Sequence, residues 1–250
     1  MMQISASPQS IIGLLRNSLA LYKKSWLKLL PITILIVGVL TILIMLFPKQ
    51  TNVLLVMKHH MSVKSLITII GFYCVMFWLF LVLFYKCYRI LIAADIKYDL
   101  VFLIASLKFF PCMAVLFLYA MIVTFGMICF VVPGIFLVFL LSYSFLAVLI
   151  DNKNIFSSFK YSAQLVWGNW WRTFTIFLIT FLLMMIFIVI IIAGVNFIVM
   201  SLLHLKVMMA ITVLNIIAMI LSLFIWIFLA NVFVCQYYDL KLRYQSKASG

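Results

Sequence analysis

Glutamate is absent from this chain, and Asp95, Asp99, Asp151 and Asp239 are its only acidic side chains. Chemistry built on paired carboxylates, whether general acid–base hydrolysis or oxygen-rich metal binding, has little to draw on. There is no P-loop, no Gly-x-Gly-x-x-Gly fingerprint, no His-Glu-x-x-His and no Gly-x-Ser-x-Gly elbow. Histidine is equally scarce: His59, His60 and His204 stand in connecting segments without a neighbouring carboxylate and read as solvated loop residues. The five cysteines, Cys74, Cys87, Cys112, Cys129 and Cys235, are odd in number and form no C-x-x-C. They read as small reduced hydrophobes. No catalytic residue, metal ligand or cofactor site is therefore assigned, and the chain is not expected to be an enzyme.

Charge of both signs is thin. Only 9% of residues are charged and 69% are apolar, against about 25% and 45–50% in soluble domains. Eighteen basic and four acidic side chains cannot cover a 250-residue globule, so the missing polar exterior has to be lipid. The net charge of +14 raises nucleic acid as a partner, but a nucleic-acid footprint gathers its cations on one face. Here Lys and Arg stand in short groups between long apolar runs, as flanks facing an anionic leaflet do. Nucleic acid is excluded on that ground, and the expected partners are membrane lipids with anionic headgroups.

A hydrocarbon core about 30 Å thick takes roughly 20 apolar helical residues. Six segments qualify: 29–47, 66–84 continuing helically to about 94, 112–132, 134–150, 173–195 and 207–234. The expected fold is all-α, a polytopic membrane bundle of about six transmembrane helices with added interfacial amphipathic helices. The third and fourth spans are separated only by Val131-Val132-Pro133-Gly134. Pro133 and Gly134 suit the second and third positions of a type II turn, so they are expected to form the tip of a tight helical hairpin. With the N-terminus inside, fourteen Lys and Arg flank the inner side, and only Lys49, Lys58, Lys64 and Lys206 lie outside. The positive-inside rule then places both termini in the cytoplasm.

The pattern predicts that each hairpin is introduced by an interfacial helix. After Ser7 as cap and Pro8 as first helical residue, Ile11, Leu15, Leu19, Tyr22 and Trp26 recur at three- and four-residue spacing. The stretch 154–172 repeats this with Ile155, Phe159, Val166 and Trp170. A third candidate, 98–110, precedes Pro111. The single membrane domain then divides into a cytoplasmic interfacial helix at 1–28, hairpins at 29–94 and 95–150, an interfacial helix with the third hairpin at 151–235, and a cytoplasmic tail at 236–250. Together these predict a threefold repeat of interfacial helix plus hairpin.

Two groups of residues are candidates for function. Trp26, Lys28, Trp167, Trp170, Trp171 and Arg172 fall at interface depth, where amphipathic rings prefer headgroups and cations pair with phosphate. They are either a general anchor or a site of specific lipid recognition. Ser142 is an embedded polar residue, and Thr212, Asn215 and Ser222 share a helical face. These four residues either line a cavity or make interhelical hydrogen bonds. Asp95 and Asp99, one turn apart, are read as compensated by Arg89, Lys97 and Lys108, with a metal or headgroup role as the alternative.

Val131-Val132-Pro133-Gly134-Ile135, Asp151, Ile155-Phe156-Ser157-Ser158, Ser162, Leu165, Trp167 and Asn169 resemble the YciC-type inner-membrane proteins of Gram-negative bacteria. They also look like the membrane domain joined to some glycerophosphodiester phosphodiesterases. The motif match covers about residues 130–172. The resemblance implies a polytopic inner-membrane protein and carries over no catalytic residue, because the phosphodiesterase domain is absent. Phe145 stands where relatives often have proline, which puts a kink in the fourth span in question. The leading expectation is a non-enzymatic protein of envelope or lipid homeostasis. A transporter or lipid-translocating permease, and a membrane enzyme acting on headgroups, are the alternatives.

Overall fold

The computed structural model describes residues 9–46, 63–197 and 207–248, and these form helices joined by short turns, with no strand among them. In chain order they are α1 (Ile11–Leu46), α2 (Val63–Leu91), α3 (Tyr98–Cys129), α4 (Val131–Leu140), α5 (Ser144–Asp151), α6 (Ile155–Val166), α7 (Trp170–Phe197) and α8 (Val207–Ala248). Among the described residues six stretches are long and apolar enough to cross a bilayer: Ile11–Leu43, Leu66–Leu91, Tyr98–Cys129, Val131–Asp151, Trp170–Val195 and Ile216–Lys247. Large apolar side chains face outward along most of them, among them Ile70, Phe117, Phe125, Phe181 and Ile190, as a lipid solvent permits.

The bundle is organised by its first and last helices. At 1.5 Å per residue, the 36 residues of α1 and the 42 of α8 reach about 54 and 63 Å, well past the hydrocarbon. They stay in contact from Gln9 and Arg243 at one end to Thr41 and Met219 towards the other. The seam on α1 is Leu14, Ser18, Leu21, Ser25, Leu29, Ile32 and Ile36, each at most 1% exposed. Their three- and four-residue steps are those of a packed helical seam. Midway, Ser25 Oγ donates to Asn231 Oδ1 at 3.1 Å, and the Cys87 thiol approaches the same oxygen at 3.4 Å. These bonds tie α1, α2 and α8 at one point.

This continuity corrects the expected interfacial helix at 1–28. The amphipathic stretch is the first half of α1, uninterrupted through Pro31, whose ring lies on the exposed face. The boundary at 28/29 therefore falls inside a helix, as does that at 235/236 inside α8. The helix is capped by Ser10, whose Oγ accepts from the Gly13 N–H at 3.1 Å; Ser7 and Pro8 lie outside the described residues. The candidate at 98–110 is likewise the start of α3, with Pro111 inside it. Only α6 is a separate short helix, and it ends at Val166 instead of reaching Arg172. The threefold repeat is not present in that form.

The Pro-Gly hairpin tip is also corrected. The chain reverses at Phe130 alone, with φ −157° and ψ 131° between α3 and α4. Pro133 and Gly134 belong to the opening turn of α4, where a proline's missing N–H has no intrahelical partner to lose. Gly134 is buried there because the helices touch: a Cβ on it would stand 2.8 Å from Met127 Cα, and one on Gly126 would stand 3.3 Å from Gly134 Cα.

The fourth span is broken without a proline. Between α4 and α5 the residues Leu141, Ser142 and Tyr143 form a turn. Serines repair the freed backbone groups. Ser162 Oγ, from α6, donates to Leu140 O at 2.9 Å and accepts from the Tyr143 N–H at 3.2 Å. The Ser142 and Ser144 hydroxyls return to Phe139 O and Leu141 O. Unsatisfied backbone groups are expensive away from water, so α6 is a splint for this break. Ser162→Ala is expected to destabilise the protein by about 1–3 kcal/mol, measured by denaturation in detergent. A change within a few tenths would show that the break is held some other way.

Candidate lipid-headgroup site

The charged residues gather where helix ends meet. Asp239, near the C-terminal end of α8 and 4% exposed, accepts from Arg172 and Arg243, each at 2.9 Å, and from the Gln9 backbone N–H at 2.9 Å. Arg243 also donates to the Gln9 carbonyl. Asp151, at the end of α5, accepts from Lys241 and from the Tyr237 hydroxyl, both at 2.5 Å. Asp95, in the α2–α3 turn, pairs with Lys28 at 2.6 Å and Lys86 at 2.7 Å. Burial alone raises the Asp95 carboxyl, but the hydrogen bonds and charges of the two lysines outweigh it and hold the group below the ordinary carboxylate range.

These pairs revise the reading of Asp95 and Asp99. Asp95 lies outside the helix and Asp99 inside it, so they do not share a helical face. The compensating cations are Lys28 on α1 and Lys86 on α2, and Arg89 instead donates to Ala94 O at 3.0 Å. Asp95 and Asp151 each sit in a separate ion-pair cluster. Among the described residues no group of three or more metal-ligating side chains occurs.

The aromatic and basic group is split by the fold. Trp170 and Arg172 open α7 and face inward. Trp170 stacks on Phe136 and Phe174, each at 5.4 Å between centroids, and donates its indole N–H to Phe136 O at 3.3 Å. Arg172 is held by Asp239. Trp167 and Trp171 face outward, 67% and 74% exposed. Trp26 packs on the core and Lys28 is bound to Asp95. Of the intramembrane group, Ser142 and Ser222 bond back to carbonyls of their own segments, Phe139 and Met219. Ser142 lines a cavity of about 300 Å³ between α3, α4 and α5, which Ser222 does not reach. The side chains of Thr212 and Asn215, and all three histidines, lie outside the described residues. Of the cysteines, Cys87, Cys112 and Cys235 are buried, Cys74 is half-buried and Cys129 is exposed, all as free thiols.

What pattern reading missed is a cleft at the exposed end of α6. Lys160, Ala163, Gln164, Trp167, Tyr244 and Lys247 line an open space of about 580 Å³. The turn after α6 passes through Gly168 at φ +80°, a conformation that favours glycine. Lys247 lies across it, with Nζ 3.4 Å from where a Cβ would stand. Neither Lys160 nor Lys247 pairs with a carboxylate among the described residues. The cleft thus offers two unneutralised ammonium groups, an indole and a phenol ring to an anion. No sequence signal joins Lys160 to Lys247, since eighty-odd residues and two membrane spans separate them.

Helix content, six spanning stretches and outward apolar surface define a multi-pass helical membrane protein. No family model, curated protein or solved structure matches the chain.

Proposed function

We propose that this is a non-catalytic multi-pass protein of the bacterial inner membrane, with both termini cytoplasmic, that supports envelope or lipid homeostasis by holding an anionic lipid headgroup at its basic end. The observation that carries the reading is the cleft between Lys160 and Lys247, walled by Trp167 and Tyr244. A phosphate fits between two ammonium groups, and the amphipathic rings favour headgroup depth. The outward face of the first half of α1 agrees: Ile12, Arg16, Leu19, Lys23 and Leu27 alternate apolar and basic, and all are exposed. Long basic side chains on such a face keep their stems in apolar surroundings and their charges in headgroups. The bias of basic residues supports the cytoplasmic termini, and the resemblance over residues 130–172 supports the YciC-type assignment.

The deciding measurement is lipid enrichment around the protein in nanodiscs of mixed phosphatidylglycerol and phosphatidylcholine. Each surface lysine contributes about 1 kcal/mol toward an anionic surface, roughly five-fold. Lys160→Gln with Lys247→Gln is expected to reduce phosphatidylglycerol enrichment by more than ten-fold while leaving thermal stability unchanged. Equal enrichment in the double variant and the parent would reject the cleft as the site. Trp170 and Arg172 are unsuitable targets for this test because both are structural.

A further inference from the structure

A second space lies inside the bundle, away from the cleft. It has a volume of about 620 Å³ and runs between α2, α7 and α8, closed at the back by Leu116 and Phe145. Its walls are apolar and largely aromatic, with Phe80, Phe84, Phe177, Phe233 and Trp226 among them. Along α8 it extends from Gln236 to Trp226. Ten residues of helix are about 15 Å, half of a hydrocarbon core about 30 Å thick. The space is therefore one leaflet deep, with Gln236 at the end level with the start of α7, since the Gln236 amide N–H lies 3.4 Å from Thr173 O.

That end holds an unpaid requirement for hydrogen bonds. Gln236 is 1% exposed and lines the space, yet its Oε1 has no partner among the described residues. The hydroxyls of Thr173 and Tyr143, both 0% exposed, are also unpartnered. Thr173 adjoins Gln236 through the amide contact, and the Tyr143 ring packs against the cavity walls Phe177 and Phe233 at 6.4 and 4.9 Å between centroids. Buried polar groups left in this state call for a missing partner. Oε1 accepts only, so its partner has to be a donor. Ester-linked phospholipid tails bring no donor to this depth, and an apolar cavity stays dry along its length.

We infer that this cavity binds one hydrocarbon chain ending in a hydroxyl, the chain lying between α2, α7 and α8 and the hydroxyl donating to Gln236 Oε1. That donor satisfies Gln236 Oε1, the orphaned atom whose residue lines the space; Thr173 and Tyr143 stand behind its walls. Fatty alcohols, isoprenoid alcohols and acylglycerols share this chemistry. The assignment is independent of the headgroup cleft.

The test uses the full-length protein in nanodiscs and two photoactivatable probes, hexadecanol with a mid-chain diazirine and its methyl ether, which keeps the chain and lacks the donor. The alcohol is expected to label peptides from α7 and α8 that contain the cavity residues, and about ten-fold more efficiently than the ether, the factor of one buried hydrogen bond. Gln236→Leu should abolish that preference while chain labelling persists. Met184→Trp, which fills the cavity from its half-exposed side, should remove labelling by both probes. Equal labelling by alcohol and ether in the parent would reduce the space to ordinary lipid contact and overturn the inference. So would a preference that survives Gln236→Leu, or an absence of cavity labelling, the result expected if water satisfies Gln236. Unchanged elution and thermal transition of both variants establish that the outcomes report on binding and not on folding.

Discussion

Changing Asp239 to asparagine is expected to destabilise the protein by about 3–5 kcal/mol, the range for removing one partner of a buried ion pair. The carboxylate joins three parts of the chain: Gln9 before α1, Arg172 at the start of α7 and Arg243 on α8 itself. Asparagine keeps one acceptor for the Gln9 N–H but leaves Arg172, whose side chain is 15% exposed, without a counter-charge. The matched comparison is Lys28→Gln, which leaves Asp95 its second partner Lys86. Lys28 is 48% and Asp95 35% exposed, so solvent screens that pair and replaces what it loses. The cost there should be no more than about 1 kcal/mol. Denaturation of both variants in the same detergent checks the contrast. Similar costs for the two would show that the Asp239 cluster is effectively solvated.

Gly134→Val should have an effect of similar size by a different route. Forcing even one methyl into a packed contact costs about 1–3 kcal/mol. Here a Cβ would approach Met127 Sδ at 2.6 Å, Cγ at 2.7 Å and Cα at 2.8 Å. The thioether can swing away, but the backbone carbon cannot, because Phe130 is the whole connection between α3 and α4. Valine, with two more methyl groups, is expected to reach about 3 kcal/mol or to prevent the hairpin from closing. Gly38→Ala is the control: nothing lies within 4 Å of its Cβ position, so alanine there should be neutral or stabilising by up to about 1 kcal/mol. If both glycine variants behave alike in thermal denaturation, the close helix contact is not what selects Gly134.

Gly134 shows how far a local pattern reaches. Proline followed by glycine between two apolar runs reads as a turn, because both residues have strong local preferences. The preference was real but its use was not visible: Pro133 opens a helix, and Gly134 admits the neighbouring helix. The seam of α1 was hidden for a related reason. Ser18 and Ser25 stand in it, so a search for apolar periodicity passes over Leu14, Leu21 and Leu29 and selects the flanking stripe of Ile11, Leu15, Leu19 and Tyr22. In lipid, small polar residues pack between helices as readily as leucine does. The break in the fourth span depends on Ser162, twenty residues away, and no local rule for residues 141–143 contains it.

The sequence by itself determined the solvent and the number of crossings, because both follow from sums over long stretches. A run of about 20 apolar residues costs too much in water and leaves its backbone no partner but itself in lipid, whatever the rest of the chain does. Tertiary structure alone decided which residues meet: Lys160 with Lys247 across a cleft, Asp239 with Gln9 and Arg172, Gln236 with an apolar cavity. Those pairings depend on the relative placement of helices that are nearly uniform in hydrophobicity. Such helices choose neighbours by shape and by a few hydrogen bonds, and the pattern of hydrophobicity along each one records neither.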